Sequence, residues 1–361
     1  MTAIQINGLG LVGGFGCGQQ ALLGALEKGE VSPVAVALRD HHIPLLQADS
    51  APLENFLNKR ALRRIDHFSR LALLGAFQAL EDAAQPALDK SRLGLVLASG
   101  FGPLTTTFDF LDSVIEDGDI CASPTAFSNS VHNAAAAHIS MQLQITGPNL
   151  TISQFDQSLA AGLLSAWQGL AEERVDAVLL GVVDEYCPVL GHCWEKFCEI
   201  PGAQRMTPLD FSRMTGIVGE GAAFFLLQRE TPIPARYGRI NSVKVGNLCG
   251  SKPQLEIVRP LILGCEGLLN NGATYGQYVA NGQPVACYSP LYGASPVSPA
   301  FDLAVAALSL QRGLLFPSSD DGGDYYQGGV IRETRPCSAL GCLRFGNDGE
   351  YAVIHLSRGD L

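Results

Sequence analysis

The sequence has 361 residues, 47% of them hydrophobic and 16% charged, with 40 glycines and a net charge of −11. A globular chain of that size buries roughly three quarters of its unfolded surface, so it can build a large core as one big domain or two ordinary ones. The acidic balance excludes a nucleic-acid footprint and disfavours anionic membranes, because Lys59, Arg60, Arg63 and Arg64 form the one local basic cluster. The opening MTAIQINGLGLVGGFG lacks the basic flank and apolar run of a signal peptide, and no stretch approaches the about 18 uncharged apolar residues of a spanning helix. The expectation is a cytoplasmic chain whose 10 cysteines are reduced core thiols, with no membrane span, no metal and no cofactor.

In chain order, residues 3–7 alternate like a short strand and run into a glycine-rich turn, followed by a helix over 19–28. Residues 51–84 read as largely helical, since Leu62, Ile65, Phe68, Leu71, Leu74, Phe77 and Leu80 recur every three or four positions. Residues 93–98 are a continuous apolar run closed by Ser-Gly-Phe-Gly, the pattern of a strand buried on both faces. Helices are predicted over 105–115, 133–143 and 159–171, and strands over 149–155, 175–183 and 222–228. After a proline-containing stretch at 230–236 a second, thinner cycle follows: strands near 258–264 and 285–288, a helix over 301–313 and a strand near 351–355. Strands alternating with helices point to α/β layers with helices on both sheet faces. The predicted boundary divides the chain into 1–230 and 231–361.

Three local motifs carry competing readings. Gly8-Leu-Gly10-Leu-Val-Gly13 fits G-x-G-x-x-G after a strand, which would cradle a pyrophosphate, but no clear second strand ends on an acidic residue; a tight structural turn is the better reading. Cys187, His192, Cys193 and Cys198 cluster without the paired spacing of a structural zinc site. His132, among alanines, reads as an interior histidine. A serine hydrolase would need a nucleophile elbow, and Ser153-Gln-Phe-Asp-Gln-Ser158 supplies none.

Several segments, in order, resemble β-ketoacyl-acyl-carrier-protein synthases of the thiolase-like superfamily. They are Ile6-Asn-Gly-Leu-Gly-Leu-Val, Arg63-Arg-Ile-Asp-His-Phe-Ser-Arg-Leu-Ala-Leu, Ser123-Pro-Thr-Ala-Phe-Ser-Asn-Ser-Val-His-Asn, Gly147-Pro-Asn-Leu-Thr-Ile, Asp176-Ala-Val-Leu-Leu-Gly-Val-Val-Asp-Glu, and Pro208-Leu-Asp-Phe-Ser-Arg with Gly216-Ile-Val-Gly-Glu-Gly. Further on, Ser289-Pro-Leu-Tyr-Gly-Ala-Ser-Pro resembles the last active-site loop, and Phe345-Gly-Asn-Asp-Gly-Glu-Tyr the C-terminal gate, with Gly346, Asn347, Asp348 and Gly349 as a gate-like loop. The resemblance implies a thiolase-like fold: two related halves in αβαβα layers, the second shortened.

It also implies a chemistry, which this sequence does not keep. A condensing ketosynthase holds the acyl chain on a cysteine and uses two histidines to polarise the malonyl thioester and stabilise the enolate. Counting from Gly147-Pro148, the nucleophile position falls on Asp156; the histidine positions fall at Glu266 and about Pro296, and no histidine occurs between His192 and His355. A carboxylate at that elbow would repel an incoming malonyl group. The chain is therefore similar to chain-length-factor subunits, which pair with a catalytic ketosynthase and shape its acyl tunnel, and its short second half is similar to those of bacterial aryl polyene pathways. On that resemblance, Thr151, Ile152, Ser153, Gln154 and Phe155 would form the dimer interface and Leu104, Thr107, Phe108 and Leu111 would face the partner's tunnel. Acyl carrier protein, itself acidic, would dock mainly on the partner. Two other readings stand: an enzyme using Asp156 as acid or base, and a self-paired pseudoenzyme that scaffolds carrier protein. The plain structural role for Asp156 is a filler bonded to nearby backbone amides.

Overall fold

The computed structural model describes residues 3–83, 88–118, 120, 122–198, 205–231, 234–249, 255–258, 260–279 and 283–359. The labelled strands are β1 (Ile4–Gly13), β2 (Leu93–Ser99), β3 (Asn149–Ser153), β4 (Ala177–Asp184), β5 (Gly221–Arg229), β6 (Arg239–Asn247), β7 (Leu261–Leu263), β8 (Pro284–Ala286), β9 (Ala339–Phe345) and β10 (Glu350–Ser357). The labelled helices are α1 (Gln19–Lys28), α2 (His67–Ala83), α3 (Leu104–Asp117), α4 (Pro124–Ser130), α5 (Ala134–Leu143), α6 (Ser158–Ala171), α7 (Pro188–Cys198), α8 (Leu269–Tyr278) and α9 (Ser298–Arg312).

One pairing scheme occurs twice. In the first set β1 pairs antiparallel with β5 and β5 with β4, while β4–β2 and β2–β3 are parallel. In the second, β6–β10 and β10–β9 are antiparallel and β9–β7 and β7–β8 parallel. A short antiparallel contact, Ile4 to Ile240 and Gln5 to Arg239, joins the two sets into one 12-stranded sheet. Each third parallel strand leads into a helix, β3 into α6 and β8 into α9, and these two helices share the central core through Leu163, Trp167, Phe301 and Leu308. Residues Ser298 to Leu310 of α9 are all buried, as a helix covered on every side must be. A second core, with Phe68, Leu71 and Phe224, packs α2 and α5 on the outer face of the first set; a third, with Tyr275, Phe345 and Val353, covers the outer face of the second. Where α2 crosses between β1 and β2, the described residues between β6 and β7 contain no helix.

The structure corrects several expectations. The glycine motif is not a turn: Gly8, Gly10 and Gly13 lie within β1. A Cβ on Gly10 would sit 1.9 Å from the Gly75 carbonyl oxygen and one on Gly8 2.2 Å from that of Ala79, so these glycines let the strand touch α2. The stretch at 51–84 read as largely helical is so over its described residues, but in three pieces: a short turn at Ala51–Asn55, a single turn at Lys59–Leu62 capped by Asn58, and α2, which starts afresh where Asp66 accepts from the Ser69 amide. His132 is exposed rather than interior. β6 and β9, both unpredicted, alternate with polar or small residues and fall short of a continuous apolar run. Cys187 is buried and Cys193 exposed, while the side chain of Cys198 lies outside the described residues; among those described, no three His, Cys, Asp or Glu gather as a metal site. No helix among the described residues is long and apolar enough to cross a membrane.

Candidate functional site

The site forms where the C-terminal ends of parallel strands from both sets converge, the usual place for chemistry in α/β sheets. β3 ends at Ser153, and the chain bends through Phe155, whose φ of 44° is left-handed, onto the turn that carries Asp156. A non-glycine residue there stores strain that the surroundings must hold. Ser158 provides part of that hold: its Oγ accepts from the Gln154 amide at 2.9 Å and donates to the Ser99 carbonyl at 3.0 Å, tying the elbow to β2. The predicted strand over 149–155 is thus cut short by this turn.

Glu266 comes from just beyond β7, Pro296 from the loop entering α9, and both reach the Asp156 elbow. Together with Phe101, Phe155, Trp194, Leu268, Asn347 and Asp348 they line a cavity of about 400 Å³. Asp156, Glu266 and Pro296 are therefore brought together, with Asn347 and Asp348 of the predicted gate-like loop. Gly346 backs onto the Asp156 turn, where an added Cβ would lie 3.6 Å from the Asp156 Cβ; Gly349 has a φ of 83° and turns the chain into β10.

The residue that organises the site went unnoticed in the sequence. Arg344, on β9, donates from Nη2 to Asp156 Oδ1 at 2.5 Å and to Glu266 Oε2 at 2.7 Å, and from Nη1 to the Gly264 carbonyl. Asp156 is thus bonded to a guanidinium, not to the backbone amides expected of a filler. Arg344 is 5% and Glu266 2% exposed. Burial pushes the Glu266 carboxyl up, and Arg344 pulls it back. Burial opposes the charge on Arg344, but Glu266 and Asp156 outweigh it and hold the guanidinium well above its ordinary pKa. The other Glu266 oxygen, Oε1, accepts from the Ser295 amide at 3.1 Å.

A second buried carboxylate shapes the cavity wall. Asp184, at the end of β4, accepts from Ser99 Oγ at 2.9 Å and from the Gly100 and Phe101 amides at 3.0 and 2.9 Å; burial raises its pKa to about 6 despite these donors. The loop so held places Gly100 under the Pro296 ring, which leaves no room for a Cβ there.

The remaining predicted positions lie elsewhere. Leu104, Thr107, Phe108 and Leu111 are on α3, a helix with no buried residue, and none of them lines the cavity. Thr107 Oγ1 donates to the Pro103 carbonyl at 2.8 Å, and Leu111 is 44% exposed. Thr151, Ile152 and Ser153 lie on β3, the last strand of the sheet path, and Gln154 and Phe155 follow it into the elbow.

Residues 27–215, more than half of the chain, match the family described as beta-ketoacyl synthase, N-terminal domain. The chain belongs to the beta-ketoacyl synthase family. Within that family it is 24% identical over 201 residues to 3-oxoacyl-(acyl-carrier-protein) synthase 2 of Vibrio cholerae serotype O1, a match covering 54% of this chain and 49% of the relative. The chain spans about half the length of the curated relatives it matches. Its fold is that of the thiolase-like ketosynthases. The ishigamide ketosynthase/chain length factor superposes with a TM-score of 0.82 at 16% identity, covering 99% of this chain and 100% of that one. A type II polyketide synthase acyl carrier protein complex with its ketosynthase, bound to the hexaketide, matches at 0.79 and 15% identity, over 99% of this chain and 100% of that one.

Proposed function

We propose that this beta-ketoacyl synthase family member is a non-condensing, chain-length-factor-like subunit that pairs with a catalytic ketosynthase and shapes its acyl tunnel. The observation that carries the reading is the ion triad of Arg344, Asp156 and Glu266. A carboxylate stands at the elbow where the thiol is needed, and Glu266 and Pro296 stand at the histidine positions. Nothing at the elbow can form an acyl thioester, and the carboxylates facing the cavity repel a malonyl carboxylate. The similarity of fold to a ketosynthase/chain length factor supports the same assignment. On this reading the chain is built of two thiolase-like halves, 1–230 and 231–361. The lack of a crossover helix among the described residues between β6 and β7 is consistent with the shortened subunits of aryl polyene type pathways. Leu104, Thr107, Phe108 and Leu111 on the open face of α3 await the partner, and acyl carrier protein docks mainly on that partner, since this chain carries −11.

The test is co-expression with the ketosynthase encoded beside it, followed by elongation of an acyl-carrier-bound primer. A 1:1 complex is expected whose activity falls to background when either chain is omitted, and Asp156→Ala should keep more than about a third of that activity. Complete loss in Asp156→Ala, with the complex intact, would assign Asp156 an acid or base role instead.

A further inference from the structure

The charge of the cavity at the Asp156 elbow is one-sided. Asp156, Glu266, Asp348 and Glu350 line it, and among the described residues no lysine, arginine or histidine does. Arg344 stands behind the wall and gives one guanidinium to two of these acids, Asp156 and Glu266. Asp348, on the turn between β9 and β10, and Glu350, at the start of β10, are paired with no cation among the described residues; the Asp348 amide donates to Glu350 Oε2 at 3.1 Å. Whether or not Glu266 keeps its proton, the balance is negative. Phe101, Phe155 and Trp194 line the same cavity, with the Phe101 and Phe155 rings edge to face at 6.1 Å. Carboxylates beside aromatic rings are the surroundings in which organic cations are recognised.

A second observation is independent of charge. Gln157 is 6% exposed and lines this cavity, yet neither its amide nitrogen nor its amide oxygen has a hydrogen-bond partner among the described residues. A buried amide left so is rare in a folded protein and calls for a partner from outside the chain. Gly346 shows how closely the polar groups approach one another. A Cβ added to it would lie 2.8 Å from Glu350 Oε2, 3.5 Å from Gln157 Nε2 and 3.6 Å from the Asp156 Cβ, so a carboxylate, the unpaired amide and the elbow gather round one point. A protonated amine carries several N–H donors, enough to meet the Glu350 carboxylate and the Gln157 amide oxygen at once.

We propose that the cavity at the Asp156 elbow binds an organic cation: a primary or secondary amine held at Gln157 and Glu350, with an apolar or aryl body that packs on Phe101, Phe155 and Trp194. A cavity of about 400 Å³ is of the size that encloses a small organic molecule. The inference goes beyond the non-condensing role and stands on the lining of the cavity, independently of pairing with a ketosynthase.

Binding is measured on the purified full chain by calorimetry and by tryptophan fluorescence, since Trp194 lines the cavity and Trp167, the other tryptophan, is 3% exposed in the core. The probes are phenylbutylamine, phenylbutanol and phenylbutyrate, which share an aryl chain and differ in the charge of the head group. At about 0.05 M NaCl the amine should bind at least about tenfold more tightly than the alcohol, and phenylbutyrate more weakly than either. Glu350→Gln and Gln157→Leu should each weaken the amine at least about threefold and leave the alcohol within about twofold. Glu350 is half-buried and its glutamine replacement can still accept from the Asp348 amide, so the fold is not at stake in that variant. An amine that binds no more tightly than the alcohol, or phenylbutyrate that binds as tightly as the amine, would overturn the proposal. So would a loss below about threefold in either variant. A co-expressed pair that elongates its primer while this chain takes up no amine would overturn this inference alone and leave the paired function standing. Amine binding with the expected losses, in a chain that never pairs, would do the reverse.

Discussion

Replacing Arg344 by methionine is expected to lower the free energy of unfolding by about 3–5 kcal/mol, the usual cost of removing one partner from a buried ion pair. The guanidinium bonds carboxylates from two distant elements, Asp156 before α6 and Glu266 after β7, and no other cation is bonded to either in the described residues. Methionine fills most of the space but leaves two acids facing one another, so Glu266, 2% exposed, must take a proton or drag in water. Adding Asp156→Asn and Glu266→Gln should recover more than half of the loss. The side-chain amide oxygen introduced by Glu266→Gln can still accept from the Ser295 amide, and no uncompensated charge remains. Urea unfolding followed by tryptophan fluorescence measures both variants. A loss below about 1 kcal/mol in Arg344→Met would mean that the triad does not hold the two sets of strands together.

Much of the fold was legible because buried parallel strands and a fully buried helix leave strong local signatures. The runs at 93–98 and 175–183 and the helix ending at Gly313 appear where expected. Asp156, Glu266 and Pro296 were placed in one cavity by counting along segments of resemblance. Arg344 was not, because its partner Asp156 lies 188 residues away and a single arginine in Ala-Leu-Gly-Cys-Leu-Arg-Phe reads locally as the polar tip of a strand. Gly8 and Gly10 misled for a related reason: their cause is the backbone of α2 across the sheet, which no window around residue 10 contains. Local sequence reports periodicity, and contacts between elements decide which glycine or charge is needed.

The buried acids make a further result expected: the isolated chain should lose stability as pH rises from about 5 to about 8. Asp302 lies on α9 and is only 4% exposed; burial raises its pKa to about 7, while Tyr292, which donates its hydroxyl to Oδ1, and the Arg344 guanidinium partly oppose the shift. In the unfolded chain the same carboxyl ionises near 3.8. Between those values the folded state holds a proton that the unfolded state has released, so raising the pH favours unfolding. The stabilisation is complete below the unfolded value and is lost as pH passes the folded one. At roughly 1.4 kcal/mol per pH unit, Asp302 alone gives a fall of about 2–3 kcal/mol over this range. Asp184, raised to about 6, and Glu185, raised to about 7, are shifted by burial in the same direction and add to the same slope. Asp302→Asn removes one titrating group and keeps an oxygen to accept from Tyr292. Its urea midpoint should therefore depend less on pH than that of the wild type and exceed it at about pH 8. An unchanged slope in the variant would show that Asp302 is ionised in the folded chain throughout, with Tyr292 and the Arg344 guanidinium offsetting its burial.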